Sequence, residues 1–118
     1  GVGHHGEAGT KVEKLKSASE MAQEMAETIL NDFDFEEGKE VAVMLSGLGA
    51  TPVMELYVLY DEVEKVLAKA GHKVWKTYIG NYVTSLDMNG ASLTIVDLDD
   101  EIKELLSEPA VPIGMKNY

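Results

Sequence analysis

Between residues 18 and 33 apolar side chains return every three or four positions: Ala18, Met21, Ala22, Met25, Ala26, Ile29, Leu30 and Phe33. Glu20, Gln23, Glu24 and Glu27 fall on the opposite side, which predicts an amphipathic helix with one core-facing stripe. Ser17-Ala18-Ser19-Glu20 supplies its start as a capping box, the Ser hydroxyl taking the amide of Glu20 and the Glu carboxylate returning to the amide of Ser17. Asn31 to Lys39 ends the helix in a turn, with Gly38 available for a positive backbone angle. Glu40 to Ser46 is then a nearly continuous apolar run, suited to a strand buried on both faces.

Gly47-Leu48-Gly49-Ala50-Thr51-Pro52 predicts a tight turn into a second helix over Pro52 to Ala70, with Thr51 as N-cap and Pro52 at the first helical position. That helix is expected to bury Val53, Leu56, Tyr57, Tyr60, Val63, Val66 and Leu67, and to expose Asp61, Glu62, Glu64, Lys65 and Lys69. Gly71 is placed to close it in a left-handed conformation. His72 reads as a solvated residue before a β-branched and aromatic strand, Val74 to Ile79. Ala91 to Leu98 alternates as a half-buried strand. Asp99-Asp100-Glu101 opens a short helix to about Ser107, its carboxylates matched to the positive end of the helix dipole, and Pro109 and Pro112 mark a non-helical tail. If Val2 to Glu7 is also extended, the order is strand, helix, strand, helix, strand, strand, short helix. This is an α/β layered domain, a mixed β-sheet covered by helices, with residues 1–118 as one unit.

Size and charge narrow the function. The chain has 118 residues, 45% of them hydrophobic, enough for one core and not two. Its 21 acidic against 10 basic residues give a formal net charge of −11, which argues against nucleic acid or an anionic membrane surface as a partner. There is no cysteine, so disulfides and thiolate metal sites are excluded. No apolar run approaches the roughly 20 residues needed to span a bilayer, and no signal segment opens the chain. The sequence therefore reads as a cytoplasmic protein. The first residue is Gly rather than Met, so the chain is expected to begin inside a longer protein.

Candidate chemistry concentrates in Gly1-Val2-Gly3-His4-His5-Gly6-Glu7-Ala8-Gly9. In an extended segment His5 and Glu7 share one face and His4 faces away, which pairs one imidazole with one carboxylate rather than two histidines for a metal. Glycines on both sides would let a small substrate approach, and an imidazole of ordinary pKa, about 6.5, can serve as acid, base or nucleophile. The plainer readings are a frayed terminus, a tag remnant or a structural histidine. The glycine loop at residues 47–52 offers free amides for an anion or a carbonyl oxygen, but it lacks the Gly-Lys-Ser/Thr ending of a P-loop and the third glycine of a dinucleotide site. A tight turn without ligand is the simpler reading. Asn81, Thr84, Ser85 and Asp87 either line a site or satisfy backbone groups in turns. Asp97, Asp99 and Asp100 lack the spacing of a calcium loop.

Three of these stretches together carry a family resemblance. Gly3-His4-His5-Gly6-Glu7-Ala8-Gly9 resembles the Gly-Ile-His-Gly-Glu-Pro-Gly motif of the K subunit or K domain of dihydroxyacetone (glycerone) kinases. Leu48-Gly49-Ala50-Thr51-Pro52 with Glu55-Leu56-Tyr57 is similar to that family's second signature. Gly80 to Met88, with Gly90 and Ser92-Leu93-Thr94, is similar to its third, and Leu98-Asp99-Asp100-Glu101 fits the segment after it.

The resemblance covers the second, substrate-anchoring half of the K unit and implies that the N-terminal half is absent. It implies a dihydroxyacetone site in which His5 forms a covalent hemiaminal with the ketone carbon, flanked by Gly6 and Glu7, with Glu7 as a candidate orienter. No metal or cofactor is expected on this domain. The phosphoryl donor, ATP or an ADP-bound carrier with Mg, is expected on a separate L subunit or domain, and a homodimer is expected. The catalytic base is expected in the absent half, so this piece alone is expected to be inactive. The alternative is a kinase-like regulatory paralogue that binds dihydroxyacetone and co-activates a transcription factor without catalysis. Two positions depart from the family pattern: His4 stands for an aliphatic residue and Ala8 for Pro, the latter leaving the loop after His5 looser.

Overall fold

The Ser17 hydroxyl accepts the Glu20 amide at 3.3 Å and the Glu20 carboxylate accepts the Ser17 amide at 3.1 Å. This capping box opens helix α1, Ala18–Asp32. The computed structural model describes residue 3 and residues 5–117. Strand β1 runs over Glu40–Gly47, helix α2 over Val53–Lys69, strand β2 over Lys73–Gly80, strand β3 over Ala91–Asp97 and helix α3 over Asp100–Ser107. The sheet order is β2-β1-β3. β1 pairs in parallel with β2, for which α2 is the crossover. It pairs antiparallel with β3. The mixed sheet covered by helices is the expected architecture. The strand proposed for Val2 to Glu7 is absent among its described residues, which form a turn.

β1 is buried along most of its length. Val41, Val43 and Leu45 pack with Ala22 of α1 and with Leu56, Leu59, Val63 and Leu67 of α2, so both long helices lie on one face of the sheet. The opposite face of β2 is tied to the chain's end. The Lys76 ammonium donates to the Leu106 carbonyl at 2.9 Å and also bonds the Asn117 side chain. The Asn117 amide nitrogen donates to the carbonyls of Leu106 (2.7 Å) and Glu108 (2.8 Å), closing the C-terminal end of α3. The Asp99 carboxylate accepts the Ile102 amide at 2.7 Å and closes its N-terminal end.

Four local expectations are corrected. Phe33 lies at the C-cap of α1 and is half exposed rather than core. Val53 and Tyr57 of α2 are exposed, and Leu59, absent from the expected stripe, is buried. The helix is rotated so that its buried line runs through residues 56, 59, 63 and 67. Thr51 does not cap α2. Pro52 occupies the N-cap without a side-chain bond, while the Thr51 hydroxyl accepts the Gly90 amide (2.9 Å) and donates to the Gly90 carbonyl (2.8 Å). One hydroxyl there satisfies both polar groups of a neighbouring residue, whereas the first amides of α2 belong to exposed residues that water can serve.

His72 is the fourth: it is buried, not solvated. Gly71 at φ +87° closes α2 as expected, and the His72 amide returns to the Leu67 carbonyl at 2.9 Å. The imidazole meets Phe35 edge-on with ring centroids 5.7 Å apart. The turn before β1 is drawn over it by a bond from the Gly38 amide to the Gly71 carbonyl at 3.1 Å.

The hydrogen bond from Ser17 holds the Glu20 carboxyl below its ordinary pKa. A carboxyl whose pKa is depressed by folding stabilises the fold above its unfolded pKa, and that contribution is lost as pH falls through the folded value. The start of α1 should therefore loosen in acid below the ordinary carboxylate range, and Glu20→Gln should keep the helix while removing this acid dependence. Amide exchange of residues 18–21 against pH in the full-length protein reads the difference, and an unchanged profile in the variant would refute it.

Candidate functional site

Gly3 to Gly9 does not continue as a strand. The Gly6 amide points back to the Gly3 carbonyl at 3.4 Å, and Gly6 takes φ +90°, a conformation natural to glycine. The backbone of Gly3 lies directly against the Glu7 carbonyl, where a Cβ would collide. His5 sits at this turn and is exposed. The same-face argument for His5 and Glu7 therefore lapses, because alternation holds only in extended chain. What joins them instead is a bond from the His5 backbone amide to a Glu7 carboxylate oxygen at 3.0 Å. The carboxylate orients the turn through its backbone. The expectation that His4 faces away lies outside the described residues.

The second and third motifs meet at the C-terminal edge of β1 and β2. The Leu48 amide donates to the Gly90 carbonyl and the Ala50 amide to the Met88 carbonyl, each at 3.1 Å, and the Ser85 amide donates to the Leu48 carbonyl at 2.6 Å. Gly49, at φ +131°, passes so close to the Leu86 carbonyl that no side chain fits between them. Two amides of the glycine loop that could have held an anion are thus taken by the 85–90 loop, so the loop is a joint between chain segments. Ser85 enters the turn through its backbone amide and carbonyl rather than its hydroxyl, and Asn81, Thr84 and Asp87 are exposed.

The organising residue of this edge is Ser46, which belongs to none of the three motifs. It is 1% exposed. Its hydroxyl donates to the Gly47 carbonyl at 3.1 Å and accepts the amides of Tyr82 (3.0 Å) and Val83 (3.2 Å). The available signal was a single hydroxyl ending a run of buried apolar residues, since a buried hydroxyl needs partners. Burial, the first cause, raises the Tyr82 phenol pKa, and the ring folds back over Gly80. Among the described residues no cluster of His, Asp or Glu could hold a metal ion. Among the described residues, no hydrogen bond or ion pair joins Gly3 or residues 5–9 to this edge.

Ser46→Ala would leave the Tyr82 and Val83 amides without their buried acceptor. It should cost about 1–3 kcal/mol of stability and speed amide exchange selectively over residues 81–88. Denaturant unfolding together with mapped exchange measures both; exchange at 81–88 that matches the parent protein would show that the hydroxyl does not hold the loop.

Comparison with known proteins places these motifs. Residues 1–113 match the Dak1 domain. The dihydroxyacetone-binding subunit DhaK of a PTS-dependent dihydroxyacetone kinase from Listeria innocua is 38% identical over 92% of this chain and 33% of its own. D-erythrulose kinase of Mycolicibacterium smegmatis is 39% identical over 93% of this chain and 19% of its own. The DhaKLM operon coactivator DhaQ of Lactococcus lactis is 34% identical over 85% and 31%. Among solved structures, one described as concerning regulation of the dha operon of Lactococcus lactis superposes with a TM-score of 0.84 at 33% identity, covering 92% of this chain and 35% of the other. The dihydroxyacetone kinase of C. freundii gives 0.76 at 29% identity, covering 92% and 19%. The chain spans about a third of the length of the DhaK subunit from Listeria that it matches, and kinase subunits and an operon coactivator both stand among its relatives. The chain belongs to the Dak1 domain family.

Proposed function

We propose that this chain is the dihydroxyacetone-binding part of a dihydroxyacetone (glycerone) kinase, which phosphorylates the ketone to dihydroxyacetone phosphate, with His5 as the covalent substrate anchor beside Gly6 and Glu7. The observation that carries the reading is the exposed, glycine-framed turn bearing His5 in a Dak1 domain. A ring nitrogen of His5 adds to the carbonyl carbon, the π pair moves to oxygen and is protonated, and the second ring nitrogen gives up its proton. The product is a neutral hemiaminal with nothing lost. Only a carbonyl compound can accept the nitrogen, so ketoses are selected over glycerol, and erythrulose kinases among the relatives fit a short ketose as the substrate class.

The phosphoryl group comes from ATP, or from an ADP-bound carrier with Mg, on an L subunit. The complete protein acts as a homodimer. A second reading is supported by the coactivator relative: a protein that binds dihydroxyacetone and activates transcription without transferring phosphate.

Full-length protein mixed with dihydroxyacetone should gain the mass of one ketone in gentle intact-mass measurement, and glycerol should add nothing. His5→Ala should abolish the adduct; an adduct of equal yield in that variant would sink the assignment. Addition of the L subunit with its donor and Mg then separates the two readings. Formation of dihydroxyacetone phosphate supports the kinase, and an intact adduct without phosphate transfer supports the coactivator.

A further inference from the structure

The outer face of α2 carries a second apolar stripe. Val53, Met54, Tyr57 and Val58 fill its first two turns and are 45, 78, 56 and 55% exposed. At 100° per residue Met54 and Val58 lie opposite the buried line of Leu56, Leu59, Val63 and Leu67, and Tyr57 and Val53 continue the apolar arc along one flank. A helix packed on a sheet ordinarily turns charged residues outward there, and α2 does so from its third turn, with exposed Asp61, Glu64 and Lys65.

The loop after β2 adds Val83, 61% exposed, and Leu86, 95% exposed. Among the described residues Leu86 is the one non-glycine at positive φ, +50°. Its carbonyl lies against Gly49, and the Ser85 amide is bonded to Leu48, so the loop is seated on the turn that feeds α2. Six exposed apolar side chains thus stand on two segments that meet at the Gly49 turn, which marks an interaction surface rather than ordinary scatter.

Charge selects the occupant. All ten basic residues are lysines, and none lies between Lys39 and Lys65 or between Lys76 and Lys103. Exposed Glu55 and Asp87 stand on the segments that form the corner. Lys65, two turns beyond Val58, is already bonded to Asp61 at 2.6 Å and to Glu62 at 2.9 Å. Two copies meeting about a two-fold axis would set these same carboxylates around one contact. A complementary surface has the opposite sign at its rim. We propose that this corner docks a partner protein presenting an apolar helix face flanked by Lys or Arg. The proposal is independent of His5 and holds for either functional reading.

The probe is a fluorescent amphipathic peptide of leucine and lysine, with a leucine and glutamate peptide as its control, each titrated into full-length protein. The lysine peptide should bind, and the glutamate peptide should not. Met54→Glu and the charge reversal Asp87→Lys should each weaken binding tenfold or more, while Glu101→Lys on α3 should leave it within twofold. Met54 is exposed, so its replacement should not unfold the domain. Equal losses at Met54, Asp87 and Glu101 would reduce the effect to general attraction and overturn the proposal. So would a dimer in sedimentation that Met54→Glu dissociates, which assigns the corner to a second copy. Protection of Met54→Cys from alkylation in the native full-length protein would likewise overturn it, because the corner would then be covered from within.

Discussion

The constraint on which the functional edge depends is the burial of β1 on both faces between two partner strands. A strand so placed has no freedom of register, because a one-residue slip would carry Val41, Val43 and Leu45 out of the helix-facing core. Its last buried side chain is Ser46, and that residue's height above the sheet is fixed along with the rest. The amides of Tyr82 and Val83 are therefore held to a rigid element. The turn that follows β1 then takes the amides and carbonyls of residues 85–90 as its partners. Two of the three family motifs become a single joint, locked by hydrogen bonds and by a glycine that leaves no gap.

How much of this was legible in the sequence follows from the range of each interaction. The capping box at Ser17 and the left-handed closure at Gly71 are settled within a few residues, and both are as read. Asp99 caps α3 within the same short range. The Thr51 assignment fails because its hydroxyl has a partner 39 residues away, Gly90, and local capping rules weigh only local competitors. His72 fails for the same reason: its burial is imposed by Phe35 and Gly38 of a distant turn. The burial line of α2 was misplaced because two apolar stripes share that helix, and spacing alone cannot say which one meets the sheet.

Charge is distributed as unevenly as hydrophobicity. The lysines cluster where they have structural work: Lys11 and Lys16 bind Glu24 of α1, Lys39 binds Asp97, and Lys103 binds Glu40 at the start of β1. These pairs are partly exposed and individually weak. Beside them, residues 40–64 and 77–102, which include the turns at that end of the sheet, carry no lysine while they keep carboxylates. A free anionic ligand would meet an unfavourable field there.

The turn at His5 shows why glycine content alone was an ambiguous signal. Gly3 and Gly6 are both required, for different physical reasons. At Gly6 a Cβ would meet nothing within 4 Å, yet the backbone stands at φ +90°, so the demand is conformational. At Gly3 it is steric, because the Glu7 carbonyl occupies the place of a side chain. A frayed terminus would need neither. Two unlike requirements converging on one turn, with the Glu7 carboxylate bonded to the His5 amide, describe a defined backbone turn at which His5 stands exposed. Pro in place of Ala8 would stiffen the exit from that turn without altering either requirement. A proline there would therefore bear on how firmly the turn is held, and not on why Gly3 and Gly6 stand where they do.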